Sequence, residues 1–292
     1  MRNLIHRTLA SAGWASEARK CIAVCSILIA ASTSAFAQQI FERKLAVITQ
    51  AGEVWARDIN ATTVGAGEML QGPSLFGGPD DAFVLGSTNQ LYVVTKSGAV
   101  WAHDMQPRTV SDTHRIDAGS PLPGTLFGGP DAKYVLYDER SMVFYVVTTN
   151  GVVWAHPLGQ ISGGYPLKGP SLFGAQNDKY VLLDGYRFLV VNTRGQIWAH
   201  DISCTNPIPQ SFLCPPDTVG AGYMLNGPSL FGAPNDKYVV LENGVLMVIN
   251  TFGEVWARSI SGSTVGTGYK LSGPTLFGGA NDKYVVTYDL DY

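Results

Sequence analysis

The chain has 292 residues, with 20 lysines and arginines against 23 aspartates and glutamates and a formal charge of −3 at pH 7. A chain without a basic excess is a poor nucleic-acid ligand, because neutralising phosphates supplies most such affinity. Charged residues make up 15% of the chain, below the quarter or so of ordinary soluble domains, so the surface leans on Gly, Ser, Thr, Asn and aromatic groups.

Residues 1–37 read as an export signal. Arg2, Arg7, Arg19 and Lys20 precede an apolar stretch at 21–31, and Ala35, Phe36 and Ala37 form a small-x-small cleavage site before Gln38. That stretch falls short of the roughly 20 apolar residues of a bilayer span, and no other segment reaches that length, so no membrane span is expected. A lipidated Cys25 fits poorly, since it follows Lys20 closely and Val24 is not small. Cleavage takes away those four basic residues and Glu17, leaving 16 basic against 22 acidic side chains, a formal charge of −6. The remainder, 38–292, is expected to form one domain in the periplasm or outside the cell.

The dominant pattern of 38–292 is a five-fold repeat. A Gly-x-(Val/Ile)-Trp-Ala cassette stands at 52–56, 98–102, 151–155, 195–199 and 253–257, so that Trp55, Trp101, Trp154, Trp198 and Trp256 lie 46, 53, 44 and 58 positions apart. Each is followed by Leu-Phe-Gly, starting at Leu75, Leu126, Leu172, Leu230 and Leu276, and then by a short Tyr/Phe-Val run. A period near 50 with several short strands per unit predicts the blades of a propeller. In the last full unit, 237–241 and 245–249 are β-prone runs flanking Asn243-Gly244, a strong hairpin signal. A turn at 250–253 leads to the Trp256 strand, and a weaker fourth strand is expected around 269–271. The fold class is therefore all-β: a five-bladed β-propeller with four antiparallel strands per blade. The chain enters at 45–49 with what corresponds to a second strand and ends at 283–288 with a first strand, so the C-terminal strand is expected to complete the N-terminal blade and close the ring.

Strand alternation puts Trp55 and Arg57 on one face and Val54 and Ala56 on the other. The five tryptophans are read as repeat core, each meeting a small Ala of a neighbouring blade. Two positions after each Trp stands Arg57, His103, His156, His200 or Arg258. Histidines spread round a ring do not converge on one ion, so hydrogen bonds to nearby turns are expected and no metal.

Candidate binding groups recur before the first strand of a blade: Asn177 and Asp178, Asn235 and Asp236, Asn281 and Asp282, varied as Asp80-Asp81 and Asp131. They serve either as turn formers or as a ring of amide and acidic groups at one channel mouth, able to meet sugar hydroxyls or a cation, although their variation between units tells against a single cation site. A Gly-x-Gly element precedes Tyr223 and Tyr269, and Gly163-Gly164 precedes Tyr165. These tyrosines either offer faces for sugar rings or cover the blade edge. Non-repeated residues sit in two insertions, 107–117 with Asp112, His114, Arg115 and Asp117, and 203–217 with Cys204 and Cys214. The two cysteines, ten apart in an exported chain, are expected to form a loop-closing disulfide. No nucleophile with a partner base is identifiable, so no catalytic residue and no cofactor are expected.

The repeat length, the five units and the Gly-x-Val-Trp strands resemble the tachylectin-like five-bladed lectins and, more distantly, tectonin repeats. The resemblance spans 41–292 in organisation and implies shallow glycan pockets, one per blade, without hydrolysis. The Thr-x-x-Gly-x-Val-Trp form also resembles a sialidase Asp-box, but Gln50, Lys96, Thr149, Thr193 and Thr251 replace the Asp. The expected function is an exported, multivalent glycan-binding or cell-surface-ligand-binding propeller. The alternatives are a protein-partner scaffold and a carbohydrate-active enzyme.

Overall fold

The computed structural model describes residues 43–59, 62–75, 80–86, 90–106, 115–126, 132–172, 177–204, 216–230, 235–241, 244–276 and 282–288. Five antiparallel sheets together form a five-bladed β-propeller; in four of them the strands run in sequence order from the centre outward, and in the remaining one the last described strand lies innermost. Blade two is built on Ala82–Leu85, Gln90–Val94 and Ala99–Gln106, and blade three on Ala132–Asp138, Val143–Thr148 and Val153–Pro157. Blade four uses Lys179–Leu183, Arg187–Val191 and Ile197–Ser203, and blade five Lys237–Leu241, Val245–Ile249 and Val255–Ser261. Short outer strands such as Tyr223–Met224 and Tyr269–Lys270 finish the blades.

Blade one contains both ends of the propeller. Lys283–Tyr288 pairs antiparallel with Arg43–Ile48, from Arg43 opposite Tyr288 to Ile48 opposite Lys283, and Arg43–Ile48 pairs in turn with Val54–Ile59. The ring closes as the repeat phase predicts. The expected export segment lies outside the described residues, and among the described residues no helix is long and apolar enough to cross a membrane.

The second strand of each blade is sandwiched by neighbours on both faces, so its sequence is apolar without alternation. Val143–Thr148 is buried along its whole length, as is Val245–Ile249. Each such Val, Leu or Phe contributes roughly 1.5–3 kcal/mol. One core joins Ala46 and Ile48 to Leu91 and Val93, another joins Tyr145 and Val147 to Phe188 and Val190, and a third joins Leu189 and Val191 to Leu246 and Val248. Tyr92 meets Phe144 edge-on between blades two and three, with centroids 5.1 Å apart.

Trp55, Trp101, Trp154, Trp198 and Trp256 are each half-buried, whereas Ala155, Ala199 and Ala257 are fully buried. Trp101, Trp154, Trp198 and Trp256 pack against the inter-blade cores. Their outer sides are left partly open where the outer strand is short: Trp198 faces Met224, itself 47% exposed, and Trp55 faces Met69, 46% exposed. The rings therefore border the core that the second strands supply.

A belt of backbone bonds fastens successive blades at the rim. Val219 donates to Lys168 at 2.7 Å, Val265 to Asn226 at 2.7 Å, Val64 to Ser272 at 2.8 Å and Ile116 to Gln71 at 2.9 Å. Between blades two and three the Thr125 amide instead donates to Ser162 Oγ at 3.3 Å, beside a 3-10 helix at Leu158–Gly163.

Candidate functional site

The innermost strands surround a central cavity of about 750 Å³. Lys179, Lys237 and Lys283 are the first residues of their strands in blades four, five and one, so they stand at the same mouth. Ala82 opens the corresponding strand of blade two. The residue before each lysine is an aspartate: Asp178, Asp236 and Asp282 are 2%, 0% and 4% exposed, while the lysines are half-buried and line the cavity. Asp236 and Asp282 belong to the same lining, so acidic and basic groups alternate there, with the lysines the more accessible of the two.

Burial lowers the pKa of all three lysines. For Lys237 the repulsion of Lys283 and Lys179 adds to that effect, and Asp282 opposes it. Asp236 and Asp178 favour the charged form of Lys179, and Asp80 and Asp81 that of Lys283. For each lysine an aspartate of the following blade, Asp236, Asp282 or the pair Asp80 and Asp81, favours the charged form. Asp81 also accepts the backbone amide of Lys96 at 3.2 Å, and Lys96 Nζ pairs with Asp80 at 2.8 Å.

Below these charged groups the wall is apolar, with Val84, Leu182, Val239 and Val286 among its lining. The far end carries Asp138, Glu139, Arg140 and Asp184. Tyr134 and Tyr180 pack with centroids 5.0 Å apart, and burial raises both phenols well above the ordinary tyrosine range. Burial does the same to Tyr238 and Tyr284.

The sequence candidates separate into two places. Asp178, Asp236 and Asp282 belong to the lysine mouth, with Asn177 and Asn235 exposed beside them; Asn281 lies outside the described residues. Tyr165, Tyr223 and Tyr269 stand on the outer strands, opposite Ala155, Ala199 and Ala257. Their surroundings differ. Tyr165 donates to the Pro216 carbonyl at 3.1 Å, Tyr223 lies under the Arg187 guanidinium at 5.8 Å, and Tyr269 is 46% exposed. Sequence reasoning passed over the three lysines, although their repeated place between Asp and Tyr was the available signal.

The polar residue after each Trp-Ala pair fastens the glycine-rich element of its own blade. Nδ1 of His103, His156 and His200 donates to the carbonyls of Asp117, Ile161 and Gly220 at 3.1, 2.7 and 3.1 Å. Arg57 and Arg258 donate to Gly65 and Gly266 at 3.1 and 3.4 Å. The ring of His200 lies where a Cβ on Gly222 would come within 2.4 Å. The second glycine therefore admits the blade's own side chain. Among the described residues no group of His, Cys, Asp and Glu is placed to hold a metal ion. Of the expected disulfide only Cys204 is among the described residues; Cys214 lies outside them, as do Asp112 and His114.

Fold and site together define a five-bladed β-propeller with a lysine-ringed central channel. No family model matches the chain, and no curated protein does. Among solved structures, the chain is similar to a crystal structure of AztD from Citrobacter koseri, with 10% identity and a TM-score of 0.35 over 80% of this chain and 55% of that one. It is similar also to apo AztD from the same organism, with 10% identity and a TM-score of 0.36 over 82% of this chain and 61% of that one. The chain spans less than two thirds of either.

Proposed function

We propose that this is an exported, non-catalytic binding protein that takes one small ligand in the central channel. The observation that carries the reading is the convergence of Lys179, Lys237 and Lys283 on a cavity of about 750 Å³, a size and polarity suited to small-molecule sites. Export is supported by the pattern of 1–37 and by the spacing of Cys204 and Cys214, ten apart in one insertion. The test is a thermal-shift screen of small molecules against the wild type and Val239→Trp, which fills the channel. A ligand that raises the wild-type melting temperature and leaves that of the folded variant unmoved supports the reading. Equal stabilisation of both moves the site elsewhere.

Multivalent glycan binding at the blade rims is the second reading, favoured by the exposure of Tyr269. A glycan array followed by a saturation titration decides it: several equivalents bound per chain place the sites on the blades, and one equivalent excludes them.

A further inference from the structure

We infer that the channel ligand is a small amphiphilic anion, with its carboxylate or phosphate head among Lys179, Lys237 and Lys283 and its apolar body along the channel wall. The inference rests on the channel reading and adds the chemistry of the occupant.

Three observations combine. The lysines come from three blades and share one mouth, where they are half-buried, while Asp236 and Asp282 in the same lining are 0% and 4% exposed, so the accessible polar groups of these strand starts are the ammonium groups. An ammonium carries three donors, so a lysine held by one aspartate can also reach a ligand oxygen. Deeper along the same strands come Val181 and Leu182, Val239 and Val240, and Val285 and Val286, which line the cavity without a charge. A five-residue strand spans roughly 13 Å at about 3.3 Å per residue, enough for a medium-length acyl chain or a ring system.

The two mouths differ in charge balance. Asp138, Glu139 and Asp184 stand at the far end with Arg140 as the nearby cation, whereas at the other mouth Lys96, Lys179, Lys237 and Lys283 balance Asp80, Asp81, Asp236 and Asp282, so a negative head is repelled from the far end and accommodated at the lysine mouth. A cationic amphiphile meets ammonium groups there that are more accessible than Asp81, Asp236 and Asp282. A neutral sugar leaves the valine wall without a partner.

The experiment is calorimetric titration of the purified, natively processed chain with decanoate, decanol and decyltrimethylammonium. One decanoate per chain is expected, bound about tenfold tighter than decanol, with the cation weakest, since charge complementarity discriminates heads that share a tail. Lys237→Gln and Lys179→Gln are expected to reduce the decanoate preference over decanol about tenfold and Lys237→Arg to retain it, with melting curves confirming folding. Equal binding of all three probes, lost in Val239→Trp, overturns the anionic head and leaves the channel as the binding site. Binding of none overturns the amphiphile, and the screen with Val239→Trp then judges the channel on its own.

Discussion

The amide of Leu172 donates to the carbonyl of Gly151 at 2.8 Å, and the Leu172 carbonyl oxygen stands 2.0 Å from where a Cβ on Gly151 would lie. The same bond at 2.8 Å joins Leu75 to Gly52, Leu126 to Gly98, Leu230 to Gly195 and Leu276 to Gly253. The two most regular features of the repeat, the glycine before each Trp strand and the Leu-Phe-Gly leucine, are thus halves of one latch. Gly151 also has φ of 80°, where a side chain adds strain. Gly151→Ala is expected to cost about 2–4 kcal/mol, from backbone strain and displacement of the latch. Gly159→Ala, with nothing within 4 Å of its Cβ, is expected within about 0.5 kcal/mol of wild type. Denaturant unfolding compares them, and equal midpoints would count against the latch.

Truncation after Asp282 removes the strand that completes blade one. Val285 is 6% exposed opposite Ala46, which is 1% exposed, and the partner Arg43–Ile48 becomes an open edge. Losing at least about 3 kcal/mol corresponds to a fall of roughly 10 °C in melting temperature for a domain of this size. Circular dichroism reads it, and an unchanged melting temperature contradicts closure through this strand.

Burial lowers the pKa of His156 and of His200 below the ordinary histidine value of 6.5, against the raising effect of their carbonyl partners. The folded state therefore binds fewer protons than the unfolded chain between the lowered pKa and 6.5. Their contribution to stability is present above that ordinary value and is lost as pH falls toward the folded pKa. Acidification from pH 7.5 to pH 5 should lower the melting temperature, and His156→Gln should reduce the slope. A slope identical in wild type and variant removes His156 from the effect.

Cys204 and Cys214 are the two cysteines expected after cleavage of the export segment, ten positions apart, and a disulfide between them is expected. Protein from an oxidising compartment, unfolded without reductant, should show no free thiol. Reduction should destabilise it by about 3 kcal/mol on the loop-entropy scale for a short loop. Two titratable thiols in the unreduced protein would contradict the pairing.

How much was legible in the sequence follows from what each residue needed. The Gly-x-Val-Trp-Ala and Leu-Phe-Gly motifs recur because a local turn and its latch recur, so blade number, strand order and ring closure could be read from spacing and phase. The hydrogen-bonding of His103, His156 and His200 was legible as well, since a buried polar group at a fixed place in a repeat requires a local partner. The extent of tryptophan burial was not, because it depends on how far the outer strands reach across each blade, from two residues at Tyr223–Met224 to six at Ser120–Thr125. Nor was the site. Lys179, Lys237 and Lys283 lie far apart in sequence, and each alone reads as a solvated charge beside a turn aspartate. Only closure of the ring turns the starts of three separate strands toward one cavity, and burial there sets ammonium against ammonium. The repeat is written in local geometry, whereas the channel exists only where five blades meet.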